Sequence, residues 1–275
     1  MSTAVSAMTT AELAHRLGTR RAPLVFDVRR STAFQAAERM IAGARWRDHR
    51  DAQSWGLSLP VDVDIVVYCA HGHEVGQSAC ASLRSIGRRA RYLDHGFDGF
   101  LAAGGPTVRK QARPDCDARP SQWVTRERPK IDRLACPWLI RRFVDPDAVI
   151  HYVAPDRVQG VAAEIGAIPF DIEGVDYAHV GERCSFDTFI EKLGIEEPGL
   201  LHLARIVRGA DTARLDLEPQ CAGLLALALG ISVSHDDDQE ALATGMAVYD
   251  ALYAWVRFAR TETHNWPAPS PTEVV

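Results

Sequence analysis

An apolar run, a polar turn and an amphipathic segment follow one another over residues 65–86, and this order constrains the fold more than any other feature of the sequence. Residues 65–68 are apolar and mostly β-branched, which is typical of a buried strand. Residues 69–74 are polar and include Gly72, which indicates a tight turn. Apolar or small residues recur at helical spacing over residues 75–86. The sequence therefore predicts a buried strand that passes through a turn into a helix.

Cys69 stands where this predicted strand meets the turn. Backbone N–H groups of the turn and the dipole of the following helix place partial positive charge there, which favours the nucleophilic thiolate. A lone cysteine after a strand is more often a buried small hydrophobe, but the surroundings here are polar and contain glycine. We therefore predict that Cys69 is a catalytic nucleophile, and that His71 and His73 orient or protonate its substrate.

Residues 69–74 resemble the active-site loop of a rhodanese-type sulfurtransferase, a six-residue loop that begins with cysteine. Three further segments resemble landmarks of that family in the right order: residues 26–29, residues 93–100 and residues 104–106. The resemblance covers about residues 9–110. It implies a mostly parallel α/β sheet with helices on both faces, and a persulfide on Cys69 that the loop amides hold. It also implies four substrate-binding residues: Ala70, Gly72, Glu74 and Val75.

The loop departs from the family pattern, because it contains no arginine or lysine and ends in Glu74. A carboxylate near a thiolate repels anionic donors, so we expect thiosulfate to be a poor donor and a small-molecule or protein persulfide to replace it. His95 stands where the family commonly has glycine. The related phosphatase loop needs arginine at the position of Val75, so phosphate-ester hydrolysis is disfavoured.

Composition excludes several other classes of function. The net charge of −5 argues against a nucleic-acid partner. Six scattered cysteines without a CxxC pair suit a reducing cytosol. The sequence shows neither an apolar run of roughly 20 residues nor a signal pattern at its N-terminus. We therefore expect a cytoplasmic protein with no membrane partner.

The 275 residues suggest two domains, and residues 111–122 separate them. This segment combines charges and prolines with few apolar residues, so it is predicted to be a linker whose basic side chains are solvated. It divides the chain into residues 9–110 and residues 123–262. Residues 1–8 are expected to fray, and the proline-bearing tail from Trp266 is expected to be extended or disordered.

The second domain has its own family resemblance, over roughly residues 123–260. Five segments carry it: residues 128–140, 167–171, 184–187, 206–211 and 248–253. They strongly resemble the C-terminal domain of the chromate-resistance protein B (ChrB) family. This resemblance implies a mainly helical α+β domain linked to resistance to chromate or another oxyanion. Regulators of that family carry a different N-terminal region, which argues against DNA-binding regulation here.

Local patterns predict where two helices of this domain begin. Pro137 suits the first position of a helix that runs to Val144. Ser185 is a candidate N-cap for a helix that ends at Leu193, before Gly194.

Two clusters of the second domain are candidate ligand sites. His179, Asp187 and Asp211 are candidate ligands of iron, manganese or zinc. Each has a structural alternative, since Asp187 suits the acidic first turn of a helix, Asp211 suits a cap and His179 suits a hydrogen-bonded loop residue.

Lys130, Asp132 and Arg133 form the second cluster, and it is suited to an oxyanion such as chromate or sulfate. A surface ion-pair patch explains these three residues equally well.

Two hypotheses follow for the whole chain. The first is a cytoplasmic sulfurtransferase that accepts sulfur from a persulfide donor on Cys69 and passes it to a thiol acceptor. The second is a sensor or regulatory protein in which the second domain binds an oxyanion or a metal and the rhodanese-like module is not catalytic. Substitution of Cys69 distinguishes them.

Overall fold

The structure is a computed structural model, and it describes residues 6–262. The predicted tail from Trp266 lies outside the described residues, as does most of the segment expected to fray. Within that segment, however, Ala7–Met8 forms a strand, β1, that pairs in parallel with a strand of the main sheet. Met8 is fully buried, so hydrophobic burial orders this end of the chain.

Strands and helices alternate in the first half of the chain. The further strands are β2 (Leu24–Asp27), β3 (Arg39–Ile41), β4 (Arg45–Trp46), β5 (Asp64–Tyr68), β6 (Arg89–Leu93) and β7 (Thr107–Arg109). The helices are α1 (Thr10–Arg16), α2 (Ser31–Ala36), α3 (Ala52–Leu57), α4 (Glu74–Ser85) and α5 (Gly96–Ala102). Five strands form one parallel sheet in the order β1-β6-β5-β2-β4, while β3 and β7 form an antiparallel pair.

Strand β5 lies at the centre of the parallel sheet and separates two hydrophobic cores. Because successive side chains of a strand point to opposite faces, Val66 and Tyr68 enter one core with residues of α1 and α5. Ile65 and Val67 enter the other core with residues of α3 and α4. Helices therefore cover both faces of the sheet, and the predicted α/β fold is confirmed.

The second half of the chain is mainly helical, as predicted. Its strands are β8 (Gln122–Arg126), β9 (Val149–Val153) and β10 (Ile168–Pro169), which form a parallel sheet in the order β10-β8-β9. Its helices are α6 (Ile131–Leu139), α7 (Val158–Ile165), α8 (Ser185–Leu193), α9 (Pro198–Asp211), α10 (Cys221–Ser234) and α11 (Asp238–Ala254). Helix α6 continues to Val144 and helix α11 to Ala259 as wider, π-type turns.

Pro137 does not begin a helix, so that prediction is wrong. Helix α6 begins at Ile131, and Pro137 lies inside it. A proline within a helix leaves the carbonyl four residues earlier without its usual N–H partner. Here that carbonyl belongs to Arg133, and the Tyr152 hydroxyl donates to it over 2.7 Å. The hydrogen bond from β9 thus replaces the one that proline removes.

The largest hydrophobic core contains buried residues of both halves. Gly18 has a φ of +73°, and a Cβ atom there would lie 2.5 Å from the Phe143 ring and 2.7 Å from the Tyr253 ring. The buried carboxylate of Asp145 pairs with Arg45 over 2.5 Å, which joins the second half to β4. Apolar packing and an ion pair of low exposure therefore hold the halves together.

Residues 111–122 are packed against both halves, so the expectation of a solvated tether is wrong. Cys116 is buried, and the Arg113 side chain is only 5% exposed where it pairs with Asp117. The Tyr177 hydroxyl of the second half donates to the Ala112 carbonyl over 2.9 Å. These contacts anchor the connection to both halves, while residues 118–120 are exposed.

All six cysteines lie within the described residues, and all are free and buried. Across residues 6–262, no helix has the combination of length and apolar character that crossing a bilayer requires.

Candidate functional site

Cys69 directly follows the central strand β5 and lies against a cavity of about 360 Å³. The residue is 6% exposed. Its Sγ atom donates to the His73 carbonyl over 3.8 Å. Five other predicted site residues line the same cavity: Ala70, His71, His73, Glu74 and Val75. The sulfur is therefore at the base of an open space rather than sealed in the core.

The turn after Cys69 is held by the backbone that begins α5. Phe97 N–H donates to the Cys69 carbonyl over 2.9 Å, and Asp98 N–H donates to the Ala70 carbonyl over 3.0 Å. Gly96 has a φ of +58°, and a Cβ atom there would lie 2.5 Å from both the Cys69 oxygen and the Gly72 nitrogen. Only glycine fits this close approach, since any side chain would push the two turns apart.

Gly72 does not line the cavity but shapes the turn that does. Its φ is +76°, and a Cβ atom on it would lie 2.7 Å from the backbone nitrogen of His95. His95 itself has a φ of +57°. That conformation explains why a glycine is common at this position in rhodanese-type domains.

The turn that follows Cys69 carries backbone donors that have no protein acceptor among residues 6–262. Along residues 70–76 no backbone N–H donates to an acceptor in the described part of the chain. A Cβ atom on Gly76 would lie 3.4 Å from Cys69 Sγ, so the first turn of α4 passes directly beside the sulfur. Helix N-termini leave such groups unpaired and carry partial positive charge. The loop can therefore hold an anion without a cation of its own.

A buried ion pair supports the floor of this site. Arg29 is 4% exposed and lines the cavity, and its guanidinium contacts both carboxylate oxygens of Asp27. The Tyr68 hydroxyl donates to the same carboxylate over 2.8 Å. The guanidinium also lies over the Phe97 ring, 4.4 Å from its centroid. Asp27 neutralises the charge of Arg29, so the pair fixes the cavity wall in place without adding net positive charge.

Charged and titratable side chains surround the cavity mouth. The His71 Nδ1 atom lies 2.9 Å from Asp98 Oδ2, and both side chains are exposed. Arg30 is exposed at the same rim and forms no ion pair with any other described residue. Glu74 is also exposed, so its carboxylate is solvated rather than buried against the sulfur.

A second cluster lies where the second sheet meets its helices. His179 Nε2 is 3.4 Å from Asp132 Oδ2, 3.5 Å from Asp171 Oδ1 and 3.2 Å from Asp211 Oδ2. Asp132 lies in the first turn of α6, directly after β8, and Asp171 follows β10. Asp211 is the last residue of α9. Carboxylates from three separate segments therefore converge on one imidazole.

The cluster concentrates negative charge at low exposure. Burial raises the pKa of Asp132 above its ordinary value. The three carboxylates, with Asp132 contributing most, raise the pKa of His179 to about 12. Burial also opposes ionisation of Asp171, but hydrogen bonds from His179 and Ser185 outweigh it and leave the pKa of that carboxyl lowered.

Asp187 is not part of this cluster, so the predicted metal set of His179, Asp187 and Asp211 is wrong in one member. The Cys184 N–H donates to Asp187 Oδ2 over 3.1 Å, which makes Cys184 the N-cap of α8 instead of Ser185. The other carboxylate oxygen of Asp187 accepts from Arg208. The structural alternative for Asp187, an acid in the first turn of a helix, is the one observed.

Lys130, Asp132 and Arg133 do not converge on one oxyanion site. Asp132 turns inward to His179, whereas Arg133 donates to the Glu127 carbonyl over 2.8 Å. Lys130 is exposed at the start of α6. An oxyanion near Asp132 would face the carboxylates of the cluster, which disfavours it.

Family models match both halves of the chain. The model described as a rhodanese-like domain matches residues 9–103, and the model described as the ChrB C-terminal domain matches residues 123–256. Each half of the chain is thus similar to one of these domain families, and we refer to residues 9–103 and 123–256 as the rhodanese-like domain and the ChrB C-terminal domain after the models that match them. A curated relative, Protein ChrB of Cupriavidus metallidurans, is 31% identical over 160 residues. That match covers 58% of this chain and 45% of the relative, so the chain spans less than half of its length.

Solved structures also resemble part of the chain. A rhodanese-related protein from Thermoplasma volcanium is 24% identical, with a TM-score of 0.33, over 37% of this chain and 96% of that one. A rhodanese-like domain protein from Staphylococcus aureus is 20% identical, with a TM-score of 0.32, over 35% of this chain and 91% of that one.

Sequence patterns missed the contribution of two residues. Arg29 of the rhodanese-like domain appeared only as a family landmark, although the Asp27–Arg29 spacing at a strand end indicates a buried pair. Asp171 of the ChrB C-terminal domain also appeared only within a family segment. It lies just beyond Ile168–Pro169 (β10), at the carboxyl end of a parallel strand, where ligand groups commonly stand.

Proposed function

We propose that the rhodanese-like domain is a sulfurtransferase that forms a persulfide on Cys69. The observation that carries this proposal is the position of Cys69 Sγ, at the base of a cavity of about 360 Å³ and beside a run of unpaired backbone N–H groups. Such donors stabilise a terminal persulfide anion and the negative charge of the transition state.

The proposed transfer exchanges one sulfur–sulfur bond for another. Cys69 loses its thiol proton to solvent, and the thiolate attacks the terminal sulfur of a donor persulfide. The S–S bond of the donor breaks and the donor leaves as a thiolate, while Cys69 becomes the persulfide. A thiolate acceptor then attacks the terminal sulfur and regenerates Cys69. No external oxidant or reductant is needed, because each step forms one S–S bond and breaks one.

Charges at the cavity mouth govern which donor is used. Arg30 attracts an anionic donor, whereas Glu74 repels it, and Arg29 is neutralised by Asp27. We infer that a small-molecule or protein persulfide is the donor, since its terminal sulfur carries a single negative charge. His71 and His73 line the same mouth and are placed to orient or protonate that donor.

We link this transfer to resistance against chromate or a related oxyanion, because the second half is similar to the ChrB C-terminal domain family. The thiol acceptor is a small molecule or a group bound near that domain. We place the reaction in the reducing cytoplasm, a proposal supported by the free state of all six cysteines.

A regulatory role is the second candidate function. It is favoured by the buried carboxylate cluster of the ChrB C-terminal domain, whose charge suits a cation. In that role the rhodanese-like domain is a non-catalytic module. The two candidates differ in whether the full chain ever carries a persulfide.

The test is intact mass spectrometry of the full chain after incubation with glutathione persulfide or thiosulfate. We expect the wild-type chain to gain one sulfur atom, most efficiently from the persulfide, and Cys69→Ser to gain none. Cys80→Ser is the matched control, because Cys80 lies in α4 with its Sγ donating to the Ala90 carbonyl and does not line the Cys69 cavity. The proposal is overturned if the wild-type chain forms no persulfide with either donor. It is also overturned if the Cys69→Ser chain still gains sulfur.

A further inference from the structure

We propose that Asp132, His179 and Asp211 bind one divalent first-row metal ion, such as Mn²⁺ or Fe²⁺, in the ChrB C-terminal domain. Each residue offers one ligand atom, and these atoms all lie within 4.8 Å of one another. The site uses no residue of the Cys69 cavity, so it does not depend on the proposed sulfur transfer.

The distances suit shared coordination better than hydrogen bonding. An ion about 2.1 Å from each ligand places neighbouring ligand atoms about 3.0 Å apart in an octahedron and about 3.4 Å apart in a tetrahedron. His179 Nε2 lies 3.4 Å from Asp132 Oδ2 and 3.2 Å from Asp211 Oδ2. Charge-assisted hydrogen bonds are shorter, at about 2.7–2.9 Å, and one N–H cannot serve three carboxylates well.

A buried oxygen without a partner points independently to a missing cation. The Asp132 side chain is 1% exposed. Its Oδ2 accepts from the Ser185 N–H over 2.5 Å, but its Oδ1 has no hydrogen-bond partner among residues 6–262. An unpaired oxygen of a buried carboxylate is costly. An ion bound to Oδ2 would lie within reach of Oδ1, since carboxylates often bind metals through both oxygens.

Charge and access complete the site. Asp171 stays outside the ligand set because both of its oxygens have other partners: Oδ1 accepts from the Ser185 hydroxyl over 2.8 Å, and Oδ2 accepts from Arg126 over 3.0 Å. The His179 side chain is 45% exposed while Asp132 is buried, so the cluster is open to solvent on one side and closed on the other. Three protein ligands leave further coordination positions for water.

The donor atoms define the class of metal. Carboxylate oxygens and one imidazole suit Mn²⁺ and Fe²⁺, whereas thiolates favour zinc. Cys184 is buried, but its Sγ donates to Asp187 Oδ2 over 3.4 Å and lies outside the ligand set. Affinity alone does not identify the metal, because Zn²⁺ binds most such sites more tightly than Mn²⁺.

The test is titration of the chelator-treated full chain with MnCl₂. Binding is measured as the loss of the electron paramagnetic resonance signal of free Mn²⁺. We expect the wild-type chain to bind one ion and to unfold at a higher temperature when Mn²⁺ is present. Asp132→Asn and His179→Gln should weaken binding by about 100-fold or more. Zn²⁺ should displace the bound Mn²⁺.

Asp176→Asn is the matched control, because it removes one carboxylate from the same connection at an exposed position paired with Lys192. It should bind Mn²⁺ as the wild type does. If Asp132→Asn does not fold, Asp211→Asn tests the same site. Asp211 lies at the end of α9 and is more exposed than Asp132, so its substitution should disturb folding less. A wild-type chain that binds none of Mn²⁺, Fe²⁺ or Zn²⁺ would sink the proposal. The proposal also fails if the variants of Asp132, His179 and Asp211 fold and bind Mn²⁺ with wild-type affinity.

Discussion

The two candidate centres occupy similar places in their sheets but are built from opposite kinds of groups. Cys69 follows the central strand β5 and is bordered by backbone N–H groups, which make its surroundings electropositive. Asp132 follows the central strand β8 and faces further carboxylates across an imidazole, which makes its surroundings electronegative. The carboxyl ends of parallel strands thus fix where a site lies, while the groups that converge there decide what it binds.

Substituting Cys69 in one centre and Asp132 in the other should have the largest effects, and each substitution should abolish only the activity of its own centre. Cys69→Ser should lower persulfide transfer by at least about 10³-fold, because a hydroxyl is not ionised and cannot carry the sulfur. The same variant should bind Mn²⁺ as the wild type does. Asp132→Asn should show the reverse pattern. Sulfur transfer to a thiol and Mn²⁺ titration, measured on the same preparations, decide this. If one substitution abolishes both properties in a folded chain, the centres are not independent.

Distorting the electropositive loop should have the next largest effect. Gly96→Ala places a Cβ atom 2.5 Å from the Cys69 and Gly72 backbones, so we expect about a 100-fold loss of sulfur transfer. Destabilisation of at least about 2 kcal/mol should accompany it. Gly87→Ala is the control, because Gly87 has a φ of +78° and nothing within 4 Å of its added Cβ. It should cost about 1–2 kcal/mol of stability and leave transfer intact. Equal losses of transfer in both variants would show that strain alone, rather than loop geometry, is responsible.

A smaller effect is expected for Asp187, whose carboxylate caps α8 and does not belong to the cluster around His179. Its substitution should change stability but not Mn²⁺ affinity. Asp187→Asn weakens the cap of α8 and the pairing with Arg208, so the free energy of unfolding should fall by about 1 kcal/mol. Mn²⁺ affinity should stay close to the wild-type value. Urea denaturation and Mn²⁺ titration check the two parts. A loss of Mn²⁺ binding comparable to that of Asp132→Asn would return Asp187 to the ligand set.

The smallest effect concerns charge at the mouth of the Cys69 cavity. Glu74→Gln should raise kcat/KM for thiosulfate by a few-fold, because an exposed carboxylate repels an anion only weakly through solvent. Arg30→Gln should lower it by a similar factor. Both changes should shrink at high ionic strength. Steady-state kinetics at two salt concentrations measure this, and an unchanged thiosulfate rate in both variants would remove these side chains from donor selection.

The sequence predicted the local structure around Cys69 well, because the elements that form it are almost contiguous. Strand, cysteine, turn and helix succeed one another over residues 65–86, so local patterns place every loop residue. Arg29 was missed as a cavity residue because only the pairing of β2 with β5 brings it to the loop. Local periodicity carries no information on such pairing.

The carboxylate cluster was only half predictable because its members are far apart in the sequence. Asp132 and Asp211 come from different helices, and His179 comes from the connection between β10 and α8. Asp187 was grouped with them because it is close to His179 along the chain. In three dimensions the N-cap of α8 uses that carboxylate, which is a local interaction that outcompeted the predicted one.

The start of α6 was also predicted wrongly, and a contact that is distant in the sequence again explains why. The preference of Pro137 for the first turn of a helix was overridden because Tyr152, on another strand, supplies the hydrogen bond that proline removes. A tertiary contact that is invisible in the local sequence therefore moved the start of α6 to Ile131.

Gly18 admits two aromatic rings of the opposite half into the space where a side chain would stand. This close contact limits how either half can be exchanged. A gene-shuffling event that replaced either half with a homologous module would leave those rings without their complementary surface. Substitutions at Gly18, Phe143 and Tyr253 are therefore expected to constrain one another, because all three residues shape the same contact between the halves.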